Sequence, residues 1–147
     1  VDESYNRKWR FLSAYTAQKM RLRRLQRQRE EYIVLRGKAN ALGTVIQQGR
    51  TSDTTCDAAL QMLDNADKIE RRIAEIYETL AAITEYIESA PITETEKLIL
   101  TCRFIQNLHP AKICIEIGDD ESTYAAMQKR IKRIVRKLPE PKMKKRL

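Results

Sequence analysis

The chain has 147 residues, 33% of them charged, a net charge of +8, and only four glycines and four prolines. That balance favours long helices over sheets, and no apolar run approaches the roughly 18–20 residues of a membrane span. Residues 1–10 are polar and charged, so no signal peptide is expected and the predicted location is cytoplasmic.

The first predicted element is a helix over about Ser4–Gln48. Phe11, Tyr15, Leu22, Leu25 and Tyr32 hold one apolar register. Leu35, Ala39, Leu42 and Ile46 continue it after a shift, with Gly37 and Gly43 weakening the helix there. Trp9 and Leu12 add a second apolar edge, and Trp9 reads either as a packing residue or as a partner anchor. A short link, "GRTSDTT", follows, with Gly49 as a stop and Ser52, Asp53 or Thr54 as the next N-cap. The second helix is predicted over about Thr54–Ala90, roughly 55 Å long at 1.5 Å per residue. Met62, Ala66, Ile69, Ile73, Ile76, Leu80, Ile83, Ile87 and Ala90 form a heptad stripe along it. Pro91 ends it. A short link makes the two helices antiparallel neighbours, a coiled-coil-like hairpin. Two helices alone bury little core, so the stripe from Met62 to Ile87 is expected as a seam for a homo-oligomer, a dimer favoured, or for docking on another protein.

Past Pro91 the pattern shortens. "TETE", Thr93–Glu96, is a capping box, opening a helix with Leu98, Cys102 and Ile105 on one face and a stop at Asn107. A second short helix carries Pro110 in its first turn and Ile113, Cys114 and Ile117. Gly118 supplies the positive φ of a tight exit. A third helix runs from about Ser122 or Thr123 to Leu138, burying Met127, Ile131, Ile134 and Leu138. The last stretch, "PEPKMKKRL", is expected to be a basic disordered tail. The expected architecture is therefore all-α: a long hairpin over 1–91, a three-helix module over 92–138 and a tail over 139–147.

Charge is segregated along this order. Residues 1–50 hold 12 basic and 4 acidic side chains, residues 51–121 hold 6 and 15, and residues 122–147 hold 10 and 1. A basic terminal helix behind a glycine turn suggests a helix-turn-helix and a polyanion partner. A major groove about 12 Å wide admits one helix, which buries one side and offers the other. On the outer side Ser122, Thr123, Tyr124, Ala125 and Gln128 are candidates for base contact, and Lys112, Lys129, Lys132, Arg133 and Arg136 for phosphate contact. Asp119, Asp120 and Glu121 oppose this by repelling phosphate, or face a basic partner instead. The bland alternative is a solvated basic face on a bundle helix.

The segment "EKLILTCRFIQNLHPAKICIEIGDDESTYAAMQKRIKRIVRKL" resembles the C-terminal part of the RinA- and ArpU-like late transcriptional regulators of phages, itself similar to region 4 of sigma-70 factors. Arg103, Phe104, Ile105, Leu108, Ile113, Ile117, Gly118, Ile131 and Leu138 carry the likeness, which covers 94–138 well and 55–138 loosely. The His109–Lys112 stretch and the longer turn "GDDEST" depart from it. The resemblance implies an activator of late phage genes that binds double-stranded DNA and touches host RNA polymerase. Two alternatives stand beside it: a helical interaction protein with only nonspecific attraction to DNA, and a small terminase-like packaging subunit. No enzyme, metal or cofactor is expected. Cys56, Cys102 and Cys114 form no C-x-x-C pair and read as small buried or half-buried thiols. His109, the only histidine, reads as a turn residue, and no P-loop or dinucleotide fingerprint occurs.

Overall fold

A computed structural model describes residues 2–46, 53–119 and 121–142, with side chains described over 2–37, 60–119 and 121–142. The described residues are all-helical, without strands: α1 (Glu3–Ile46), α2 (Asp53–Glu88), α3 (Glu94–Leu100) running into a π-helical turn (Thr101–Ile105), α4 (Pro110–Glu116) and α5 (Tyr124–Lys137). The link expected at Gly49–Ser52 lies outside the described residues, and Asp53 is already helical. The side chains of Ala39, Leu42, Ile46 and Cys56 also lie outside them. No described helix is long and apolar enough to cross a membrane.

The chain divides into two compact units that share α1 and α2. One comprises residues 20–77. Here Leu22 and Leu25 of α1 and Ile69, Ile73 and Ile76 of α2 are buried, because apolar side chains three and four apart fall on one side of a helix. Gln26 Nε2 donates to the Tyr77 hydroxyl at 3.3 Å, and Arg29 pairs with Glu70 at 3.5 Å. Rising numbers on α1 meet falling numbers on α2, so the segments run antiparallel. Met62 and Ala66 are half-buried. Ile33, Val34, Leu35, Leu60 and Leu63 stay exposed. The central part of the stripe is therefore already used within the chain, and those five side chains, with Met20 and Tyr77, remain open among the described residues of this unit.

The other unit comprises residues 1–19 and 78–147. The expected boundary at 91 does not separate compact bodies: Phe11 and Leu12 of α1 and Ile83, Ile87 and Ala90 at the end of the stripe share one core with Ile99, Leu100, Phe104, Ile113, Met127, Ile131, Ile134, Val135 and Leu138. Leu80 is buried as expected. Aromatic contacts join the segments within this core. Trp9 meets Phe104 edge-on at 4.9 Å, and Phe11 meets Tyr86 edge-on at 5.0 Å.

The capping box forms as predicted: Thr93 N–H donates to Glu96 at 3.1 Å and Glu96 N–H donates to Thr93 Oγ1 at 3.2 Å. The apolar face of α3 differs from expectation. Leu98 is 43% exposed, whereas Ile99, Leu100, Cys102 and Phe104 are buried and Ile105 is half-buried. The π turn explains part of this. Gln106 N–H reaches back five residues to Thr101 O, which widens the turn and changes the buried register. Asn107 closes the segment in the left-handed region, φ 54°.

Pro139 and Glu140 do not begin a disordered tail. The Tyr86 hydroxyl donates to Pro139 O, Arg7 pairs with Glu140 at 3.2 Å, and the Ser4 hydroxyl donates to Glu140. Burial, then the nearby Glu140 charge, pushes the Tyr86 phenol up to about 12. Residues 143–147 lie outside the described residues.

Candidate nucleic-acid interface

Local chemistry builds the α4–turn–α5 segment. Pro110 occupies the first position of α4, where its missing N–H costs nothing. His109 caps that helix: its Nδ1 accepts from Ala111 N–H at 3.2 Å. At the far end Gly118 takes φ 73°, Gly118 N–H donates to Ile115 O at 3.1 Å and Asp119 N–H to Cys114 O at 2.9 Å. This pair of bonds is a Schellman exit. Thr123 then caps α5, its Oγ1 accepting from Ala126 N–H at 3.1 Å.

The acidic turn is partly neutralised from inside. Asp119 accepts the Ser122 hydroxyl and lies 3.8 Å from Arg130. The Ser122 bond, with backbone donors from Glu121 and Ser122 and the Arg130 charge, holds its carboxyl below the usual range. Asp119 is thus an organiser of the turn, a role sequence reading missed. Arg130 sits on the helix flank, one position away from the predicted cations. Asp120 lies outside the described residues, and Glu121 is exposed.

Helix α5 has two unlike sides. Met127, Ile131, Ile134 and Leu138 are buried as predicted, joined by Val135. On the outer side Lys129, Lys132, Arg133 and Arg136 are exposed and surround a shallow open concavity floored by Ala126. Among the described residues, Lys129, Lys132 and Arg133 pair with no carboxylate. Arg136 is partly engaged: its guanidinium lies 5.5 Å from the centre of the Tyr5 ring, and its carbonyl accepts from Lys8 Nζ at 3.3 Å. Lys112 is exposed on the first turn of α4.

The predicted base-contact residues separate into two groups. Ser122 and Thr123 serve the turn and the cap. Tyr124, Ala125 and Gln128 are exposed, and two of them are linked: Gln128 Nε2 donates to the Tyr124 hydroxyl at 2.6 Å. The Tyr124 ring stacks on His109, centroids 4.9 Å apart and planes at 24°. His109 therefore belongs to this surface. No local signal announced it, because its partner lies fifteen positions away across the turn.

No group of three or more potential metal ligands occurs among the described residues. Cys102 and Cys114 are buried and unpaired, and burial raises the Cys102 thiol. Three comparisons with known proteins add no name to this geometry: no family model, no curated protein and no solved structure matches the chain.

Proposed function

We propose that the protein is a sequence-specific DNA-binding transcription regulator whose α4–turn–α5 segment works as a helix-turn-helix, with α5 lying in a major groove. One observation carries the reading: Lys129, Lys132 and Arg133 form an exposed cationic row, unpaired among the described residues, on a helix whose other side is buried in the core. Cations with no carboxylate partner among the described residues are what a phosphate backbone neutralises. At 14 residues, α5 is about 21 Å long, enough to follow a groove over several base pairs. Tyr124, Ala125 and Gln128 stand at its N-terminal part, the part that meets base edges in such complexes. The phage late-activator role, with RNA polymerase as a protein partner, rests on the sequence resemblance alone.

Selection of bound fragments from the source genome, followed by footprinting, tests this. A discrete protected site is the expected result. Equal retention of all fragments, with a steep salt dependence, sinks sequence-specific binding.

A second reading has its own support. Ile33, Val34, Leu35, Leu60 and Leu63 are exposed in the unit of residues 20–77, an excess of open apolar surface that suits a protein partner or a second copy. On this reading the helices carry the main function and α5 supplies only nonspecific attraction. Mass measurement in solution separates a dimer from a monomer and from the ring expected of a packaging subunit.

A further inference from the structure

We infer that His109, which lies outside α5, positions its reading edge: the imidazole holds Tyr124, Tyr124 holds Gln128, and the free half of the Gln128 amide selects adenine. The inference rests on the DNA-binding reading and names one base that reading leaves open.

The chain of constraint starts in the backbone. Pro110 restricts the residue before it to extended conformations, and His109 has φ −62° and ψ 142°. The capping bond from Ala111 N–H then fixes the ring through Nδ1. With Nδ1 accepting, the neutral ring carries its proton on Nε2. The ring presents a fixed plane to Tyr124, and the two stack at 4.9 Å. Tyr124 is 46% exposed, so without that plane little else would hold its ring. The Tyr124 hydroxyl in turn accepts from Gln128.

A glutamine amide has two N–H donors and one carbonyl. One N–H is used by Tyr124. The other N–H and the carbonyl remain as an adjacent donor and acceptor. That pair matches N7 and the N6 amino group of adenine in the major groove. A side chain already fixed in one orientation loses less freedom on binding. Preference for adenine should therefore depend on a residue that touches no base.

His109 does two separable things, and two substitutions divide them. His109→Asn keeps a side-chain acceptor at the cap, a favoured one, and removes the ring. His109→Phe keeps the ring and removes the acceptor. Wild type and each variant select in parallel from a randomised duplex library, after circular dichroism and melting establish folding. Melting temperature should follow the cap: near wild type for His109→Asn, lower for His109→Phe. Adenine preference should follow the ring. At the position read by Gln128 it is expected to be about ten-fold in wild type and, because the phenyl ring lacks the bond that fixed its plane, lower but still above about two-fold in His109→Phe. In His109→Asn and Gln128→Ala it should fall to within about two-fold. The Asn variant decides alone, since it keeps the cap. If it retains the wild-type preference, His109 is only a cap and the inference fails. If wild type selects a sequence in which Gln128→Ala alters no adenine, the inference fails while DNA reading survives. If wild type selects no sequence, the DNA-reading proposal itself falls.

Discussion

Glu96 joins two ends of the small helices. Its carboxylate closes the capping box at Thr93 and accepts from Lys137 Nζ at 2.7 Å in the last turn of α5. The Lys137 bond first, then the Thr93 backbone donor, hold its carboxyl below the usual value of 4.5. A carboxylate with a lowered folded-state value stabilises the fold above its unfolded value and loses that contribution as pH falls through the folded one. Stability measured by urea denaturation should therefore drop as pH falls below about 4.5, and Glu96→Gln should lose this part of the dependence. Glu96→Ala should cost about 1–2 kcal/mol at pH 7, mostly through the cap, because Lys137 is 59% exposed and its charge is screened. Glu96→Gln keeps an acceptor for Thr93 and should cost less than half as much. Gly118 offers a purer case of backbone strain. An added Cβ meets nothing within 4 Å, yet φ is 73°. Gly118→Ala should lower stability by about 1–2 kcal/mol from the left-handed conformation alone. Gly118→Asn should cost less, and a Gly118→Ala variant as stable as wild type would mean the turn relaxes.

Helix α5 is where sequence pattern and structure agree best. Its buried stripe was legible because Met127, Ile131, Ile134 and Leu138 recur at three and four residues, and Thr123 and Leu138 bound it as read. Val135 escaped because it stands beside Ile134, outside a single stripe. Helix α3 was misread for a physical reason. Leu98, Cys102 and Ile105 line up only on a 3.6-residue turn, and on that period Ile99 and Phe104 would stand about 140° apart. The π turn over Thr101–Ile105 brings Phe104 into the core instead. The stacked pair His109–Tyr124 and the Asp119–Arg130 pair were invisible, since they join elements across a turn. On the outer side of α5 the residues should divide by effect. Lys129→Ala and Lys132→Ala should each weaken binding to all duplexes alike and lower the slope of log affinity against log salt by about one. Gln128→Ala should change which sequences bind and leave that slope nearly unchanged. Anisotropy titrations at several salt concentrations separate the two, and identical behaviour of all three variants would remove the case for base reading.

At the scale of the molecule, the module over 92–138 does not own its core. Phe11 and Leu12 from α1, and Ile83, Ile87 and Ala90 from the end of α2, share it with α3, α4 and α5. Three short helices of 7, 7 and 14 residues have little apolar surface to bury among themselves, and helices this short are marginal without tertiary packing. Trp9 on Phe104, Lys8 on the last turn of α5, and Arg7 and Ser4 on Glu140 extend the same dependence along α1. A fragment of residues 92–147 should therefore be largely unfolded by circular dichroism. Residues 1–19 joined to 78–147 by a short flexible linker should fold. Leu12 has no exposed surface, and Leu12→Ala should cost about 2–5 kcal/mol. That loss should appear in the α5 amide signals as strongly as in those of α1, because one cooperative core has been weakened. Trp9 is the only tryptophan, so its fluorescence reports whether α1 is seated on Phe104. If fragment 92–147 folded on its own, and Leu12→Ala melted α1 while leaving α5 intact, the small helices would be an autonomous folding unit after all and α1 merely a strut beside it.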